Sequence, residues 1–413
     1  MCVGIVAGVI ALQVNGQQAV SDWIKPWGQL FIRLLQLIAV PLVFVSLVKG
    51  IIGLGDMSKF SKMGMKTLIL YILTTLVAIL VGVTLVTVIK PGRFFDAGQA
   101  FALEETYKQT VSTVMEEQNK QGGPLSFLNE IIPNNFFAAI SDNRRMLQVI
   151  FFALLFGVAA LSVGVRKVKP LIDIFDSLNT VILKMVNYIL MTAPFGVFAL
   201  MAGLVVDSAG DMRLFAALAV YGLTVTGGLL FLLLGFYPLL VHLFTRIPVK
   251  RFLKECYPLQ LLAFTTSTSA AVLPVTMDTA MNKLGIDEDT VSFVMPIGVT
   301  INMDGTSCFQ AISVIFIAQV LGLDLSLTQM LTIILMTTIS SIGTPGIPGG
   351  SYVVMTMVLT SVGIPAQGLA LILGIDRPLD MLRTSVNVTG DIVLAGMVEP
   401  RNANDAKHTN LHK

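Results

Sequence analysis

The chain has 413 residues and a formal charge of +2 at pH 7; 54% of its residues are hydrophobic and only 13% are charged. Soluble domains carry about 25% charged residues and need that polar surface to cover a core of this size. The composition therefore excludes a disordered chain, a basic nucleic-acid binder and a disulfide-stapled secreted domain, and it points to a polytopic membrane protein.

In chain order, the segment from Met1 to about Gln13 is apolar but has no basic flank, so it reads as a short first transmembrane helix rather than a signal peptide. Apolar stretches of about 20 residues, enough to cross a bilayer, follow at 27–48, 67–89, 146–165, 185–206 and 214–245. Lys49, Lys59, Lys62 and Lys66 fall in one connection, Arg166, Lys167 and Lys169 two helices later, and Arg246, Lys250, Arg251 and Lys254 two helices after that. Positive charge favours the cytoplasmic side, so these alternate connections read as cytoplasmic. The loop from about Lys90 to Arg145, with Glu104, Glu105, Glu116 and Glu117, then lies outside.

Beyond Arg251 the pattern changes. The run Thr265-Thr266-Ser267-Thr268-Ser269-Ala270-Ala271-Val272-Leu273-Pro274 divides the apolar stretch 256–277. A second cluster, Ser340-Ser341-Ile342-Gly343-Thr344-Pro345-Gly346-Ile347-Pro348-Gly349-Gly350, interrupts the charge-free stretch 325–375. Pro and Gly break the helical ladder, and broken backbone at membrane depth survives only inside protein or along a cavity. Both segments read as re-entrant helical hairpins. Each precedes a helix with polar residues in its middle: Asn302-Met303-Asp304-Gly305 after the first, Asn387-Val388-Thr389-Gly390-Asp391 after the second. Paired interrupted segments in corresponding positions mark a transporter binding site.

Ionisable groups in this apolar third are functional candidates, because burying them in a membrane costs several kcal/mol. Those read as intramembrane are Asp304, Asp380, Arg383 and Asp391. Their negative surplus calls for a cation: a metal ion, a proton or a substrate ammonium. Asp380, Arg383, Thr384, Asn387 and Asp391 recur at helical spacing on one face. Asp380 can accept from an ammonium, Arg383 can fork a carboxylate, Asn387 can donate to a second carboxylate, and Thr384 adds a hydroxyl. Asp391 is free for a hard cation, which prefers oxygen ligands. A neutral substrate would leave the Arg383 charge unpaired. Asn387-Val388-Thr389 matches a glycosylation sequon, but its place on a transmembrane polar face argues against that use. Cys2, Cys256 and Cys308 show no paired spacing, and His242, His408 and His412 leave little for a zinc site or a hydrolase triad. An aspartyl protease gives the hairpins and Arg383 no role; a passive channel is separated from a carrier by uptake against a gradient.

These motifs resemble the glutamate/aspartate family of sodium-coupled dicarboxylate and amino-acid symporters. The residues that carry the resemblance are the Ser/Thr-rich first tip, Asn-Met-Asp-Gly-Thr at 302–306, Gly-Thr-Pro-Gly-Ile-Pro-Gly at 343–349 and Asp-Met-Leu-Arg-Thr-Ser-Val-Asn-Val-Thr-Gly-Asp at 380–391. The resemblance runs from the second helix to Pro400. It implies an all-α membrane protein with eight transmembrane helices and two re-entrant hairpins in inverted repeats, assembled as a homotrimer and working as an elevator. The implied division places scaffold helices 1 and 2 in 1–62, transport helix 3 in 63–91, an extracellular loop in 92–145 and scaffold helices 4 and 5 in 146–206. The rest of the transport domain would fill 207–400, with hairpins near 250–283 and 324–362, before a cytoplasmic tail at 401–413.

The resemblance also implies site roles. Substrate would meet Asp380, Arg383, Thr384, Asn387 and Thr306, with backbone near Thr268, Ser269, Ile347 and Gly349. Co-transported sodium ions would use Asp391 with carbonyls of Gly298, Asn302 and Asn387; backbone at Thr300, Ser341, Ile342 and Thr344; and Tyr71, Thr74, Thr75, Asn302 and Asp304. Many members carry an extra arginine at the first tip or just after the aspartate matching Asp380; this chain has Ser267 and Met381 there, so that cation is missing. The expected protein is a sodium-driven carrier of aspartate or glutamate in the plasma membrane, or the inner membrane of a bacterium, with both termini cytoplasmic. Proton coupling, or a C4-dicarboxylate substrate, is the alternative.

Overall fold

A computed structural model describes residues 2–53, 61–94, 132–142, 145–164, 166–207, 212–343 and 350–399. Regular structure among them is helical throughout. The N-terminal part comprises α1 (Cys2–Gln13), α2 (Lys25–Gly53), α3 (Ser61–Ile89), α4 (Met146–Val163), α5 (Lys169–Met191) and α6 (Ala193–Asp207). Next come α7 (Met212–Phe231), a wide π-type turn at Leu232–Phe236 and α8 (Tyr237–Phe244). The C-terminal third is built from α9 (Val249–Thr266), α10 (Ser269–Asp278), α11 (Glu288–Ile301), α12 (Asp304–Val320), α13 (Leu327–Gly343), α14 (Gly350–Ser361) and α15 (Asp376–Val398).

Among the described residues five stretches are long and apolar enough to cross a membrane: Gln17–Lys49, Met63–Phe94, Lys169–Met191, Phe215–Phe244 and Glu288–Val320. Large apolar side chains face outward on several of them, including Trp23, Trp27, Leu223 and Leu234, as a lipid-facing surface requires. The expected span 185–206 is not one helix, because the chain turns at Thr192 between α5 and α6. There both the N–H and the hydroxyl of Thr192 bond the Ile189 carbonyl, at 3.0 and 2.7 Å, and Pro194 contributes no N–H just beyond. A search for charge-free runs misses α5, since Asp173, Asp176 and Lys184 punctuate it. Those charges share one face, and Phe175, Ile182, Val186 and Ile189 bury the other. Asp176 pairs with Lys49 of α2 at 2.9 Å, between two half-exposed side chains.

The first interrupted segment breaks at two residues only. Ser267 is left-handed (φ 52°) and Thr268 extended, so α9 and α10 fold back on one another. Pro274 lies within α10 rather than at the break. In the second segment α13 ends at Gly343 and α14 begins at Gly350; the intervening tip, 344–349, lies outside the described residues. A third break separates α11 from α12, where Asn302 and Met303 leave the helical region.

Packing gathers the helices in two groups. α2 lies against α4, α5 and α6, and α6 also holds α1. α12 runs along α3, and α15 packs on α9, α11 and α12. α13 and α14 touch the first group through α2 and the second through α12. Within the second group α12 is buried on nearly every side, including its polar residues Asp304, Thr306, Ser307, Gln310 and Ser313.

Candidate functional site

The site lies where α15 passes the broken ends of α11 and α12. At its upper part the Arg383 guanidinium is 1% exposed. Nη1 and Nη2 donate to the two carboxylate oxygens of Asp376 at 2.9 and 3.2 Å, and Nη2 also donates to Asp380 Oδ1 at 2.7 Å. The Phe309 ring lies beneath, its centroid 3.7 Å from Arg383 Cζ, a cation–π contact strengthened by desolvation. Tyr352 of α14 hydrogen-bonds Asp376. Among the described residues Nε of the guanidinium finds no partner. Arg377, more than half exposed, stands 3.6 Å from Asp380 Oδ2.

This corrects two expectations. The buried charges include Asp376, fully inaccessible at the start of α15, so four carboxylates accompany Arg383: Asp304, Asp376, Asp380 and Asp391. Arg383 is not a lone cation that a neutral substrate would leave unpaired, because two carboxylates already bracket it.

One turn further along, Asn387 ties α15 to α12. Its Oδ1 accepts from the Gly305 N–H at 2.8 Å, and its Nδ2 faces Thr306 Oγ1 at 3.2 Å and Met303 Sδ at 3.3 Å. Thr384 turns its hydroxyl onto the Asp380 carbonyl at 2.9 Å.

The lower part of the site holds Asp304 and Asp391. Asp304 opens α12, where the helix dipole favours a negative charge. Its Oδ1 accepts from Thr75 at 2.7 Å and Thr74 at 3.4 Å, and its Oδ2 from Tyr237 at 3.0 Å. Asp391 Oδ1 accepts from Asn302 Nδ2 at 2.9 Å, while Asn302 Oδ1 is buried without a partner. Among the described residues neither carboxylate pairs with a basic side chain. Tyr71 donates to the Val294 carbonyl at 3.1 Å, so it lies beside this cluster without bonding Asp304. Gly298 makes the approach possible: a Cβ there would collide with the Asp391 carboxylate and the Tyr71 hydroxyl.

Of the residues expected from sequence, Asp380, Arg383, Thr384, Asn387 and Thr306 form the upper group, and Thr74, Thr75, Asn302, Asp304 and Asp391 the lower one, with Tyr71 and Gly298 at its edge. Thr268 and Ser269 stand at the first tip, where Ser269 is buried. Ser341, near the end of α13, bonds within its own helix, to the Thr338 carbonyl at 2.8 Å. Thr300 and Ile342 fall on helices, but their side chains lie outside the described residues, as do Thr344, Ile347 and Gly349 altogether.

The sequence pattern of the sodium:dicarboxylate symporter family matches residues 1–400. The chain belongs to that family. It is 36% identical over 409 residues to the proton/sodium-glutamate symport protein of Bacillus subtilis strain 168, covering 97% of this chain and 93% of the relative. Identity with the proton/glutamate-aspartate symporter of Escherichia coli K12 is 37% over 379 residues, covering 90% and 84%. With excitatory amino acid transporter 3 of Mus musculus it is 33% over 442 residues, covering 96% and 83%. As a sodium:dicarboxylate symporter family member the chain is a membrane transporter, not an enzyme.

In this symporter the sequence reading missed Asp376, Phe309, Tyr352 and Tyr237. Asp376 carried a usable signal, since it extends the Asp380–Arg383 face by one helical turn. Tyr237 carried none, because the wide turn before it shifts the helical register.

Proposed function

We propose that the chain is a secondary active transporter that couples sodium entry to uptake of aspartate or glutamate. The observation that carries this reading is the separation of the buried charges. A bracketed guanidinium stands at one end of α15, and two carboxylates without a cationic side chain stand at the other. Desolvating a carboxylate costs several kcal/mol, even after relaxation. Sodium ions at Asp304 and Asp391 supply the missing charge, with hydroxyl and carbonyl oxygens completing the shell.

Arg383 binds the side-chain carboxylate of the substrate. Its Nε is the unused donor, and Nη2 becomes available when Asp380 turns from it to the substrate ammonium. Thr384, Asn387 and Thr306, with backbone at the two tips around Thr268, Ser269, Ile347 and Gly349, enclose the rest. Sodium uses Asp391 with the carbonyls of Gly298, Asn302 and Asn387; the Thr300–Ser341–Ile342–Thr344 backbone; and Tyr71, Thr74, Thr75, Asn302 and Asp304. The two packing groups support a division into a scaffold (α1, α2 and α4 to α6) and a moving body (α3 and α7 to α15) with eight spans and two re-entrant hairpins. The reading extends to an elevator in a homotrimer, with both termini in the cytoplasm. The names of the bacterial relatives, which include proton coupling, favour protons as the second reading for the driving ion.

Purified protein in liposomes decides between them. Labelled aspartate should accumulate under an inward sodium gradient at equal pH, and much less under a proton gradient without sodium. Accumulation that ignores sodium would overturn the coupling, and equilibration without accumulation would indicate a channel.

A further inference from the structure

We propose that Tyr237 sets the sodium affinity at Asp304 and so governs release of the ion. The inference rests on the reading of Asp304 as a sodium ligand. Its basis is the way three hydroxyls divide the two carboxylate oxygens. Thr75 and Thr74 of α3 share Oδ1, at 2.7 and 3.4 Å, and among the described residues Tyr237 alone takes Oδ2, at 3.0 Å. The Thr74 hydroxyl has a second acceptor, the Tyr71 carbonyl at 3.2 Å, so it can turn its hydrogen away and offer a lone pair to an ion. For the Tyr237 hydroxyl, Asp304 is the acceptor among the described residues.

The local backbone is arranged to bring that hydroxyl in. Pro238 has no N–H and its ring would meet the carbonyl four residues back. The wide turn at Leu232–Phe236 absorbs the conflict and rotates Tyr237 inward; such turns often mark functional sites. Tyr237 is fully buried. Its hydroxyl passes the last helix at Gly390, where a Cβ would stand 2.6 Å from the Tyr237 oxygen and 2.8 Å from Asn302 Nδ2.

The consequence follows from charge. A donor to a buried carboxylate stabilises the ionised group most when nothing else neutralises it. A sodium ion neutralises the same charge, so the hydroxyl is worth less once the ion is present. Tyr237 therefore lowers sodium affinity while holding Oδ1 turned toward the threonines. A carrier needs this, because an ion held too tightly cannot leave. Tyr237 acts through Asp304 and is a positioning residue, not a ligand.

The test is equilibrium binding of radioactive sodium to the purified full chain without amino acid, for wild type, Tyr237→Phe and Tyr221→Phe. Tyr221 is an equally buried tyrosine, bonded to Ser313 at 2.7 Å, and serves as the control. Tyr237→Phe should bind sodium about tenfold more tightly and release it more slowly in net efflux from liposomes. Its aspartate affinity at saturating sodium, and the sodium affinity of Tyr221→Phe, should stay as in wild type. Unchanged or weaker sodium binding in Tyr237→Phe overturns the proposal, weaker binding marking Tyr237 as a ligand. Failure of wild type to bind sodium overturns the sodium reading itself and the proposal with it. If Tyr237→Phe does not purify as a monodisperse protein, Tyr237→Leu carries the same expectation.

Discussion

Arg383 shows how a residue's chemistry depends on what surrounds it. On the sequence it is one cation among carboxylates; in the fold it shares hydrogen bonds with Asp376 and Asp380 and rests on Phe309. Removing one partner of a buried pair costs about 3–5 kcal/mol, because it leaves the other charge uncompensated. Arg383→Ala should abolish aspartate binding while leaving sodium binding at the lower carboxylates, as a titration with each would show. It should also lower the unfolding temperature, and adding Asp376→Asn should restore part of that loss by removing one orphaned charge. A double variant no more stable than Arg383→Ala would contradict the bracketed pair. The periodic face from Asp380 to Asp391 was legible because helical spacing alone determines it. Asp376 belongs to the same face but sits beside Arg377 and Pro378, where a sequence pattern reads as the end of a span. Tyr237 was not legible, since its direction depends on a wide turn.

Among elements, the breaks in the helices matter most. α13 and α14 flank a Gly/Pro cluster, whereas α9 and α10 are parted by a Ser-Thr pair alone. The sequence left the position of the first break within a ten-residue run; the structure confines it to Ser267 and Thr268. Ser267 adopts a left-handed conformation that favours glycine, and its buried hydroxyl has no partner among the described residues. Ser267→Gly should therefore stabilise the detergent-purified protein by about 1 kcal/mol, read as a rise in unfolding temperature. A fall would mean that the hydroxyl contributes more than the backbone relief. The same scale explains the error over 185–206. The charge-free run after Lys184 merges the last apolar turns of α5 with α6 and leaves out the earlier part of an amphipathic helix whose charges share one face.

For the whole molecule, basic residues give a testable orientation. With the native cysteines replaced, a single cysteine at Lys167 should react with a membrane-impermeant maleimide only from the cytoplasmic side, because Arg166, Lys167 and Lys169 form one of the basic connections. Reaction from outside would reverse the topology. Family, membrane character and the polar face of the last helix are determined by the sequence itself, because they depend on composition, spacing and motifs along one chain. The tertiary structure decided which charges meet. Asp376 reaches Arg383 within a single helix, but Asp304 receives Thr74 and Thr75 from α3 and Tyr237 from α8, and Asp391 receives Asn302 from the break before α12. Those partners lie from 67 to 230 residues apart in sequence. No local pattern encodes such a meeting; it arises because each carboxylate, once buried, must find donors among whatever elements pack against it.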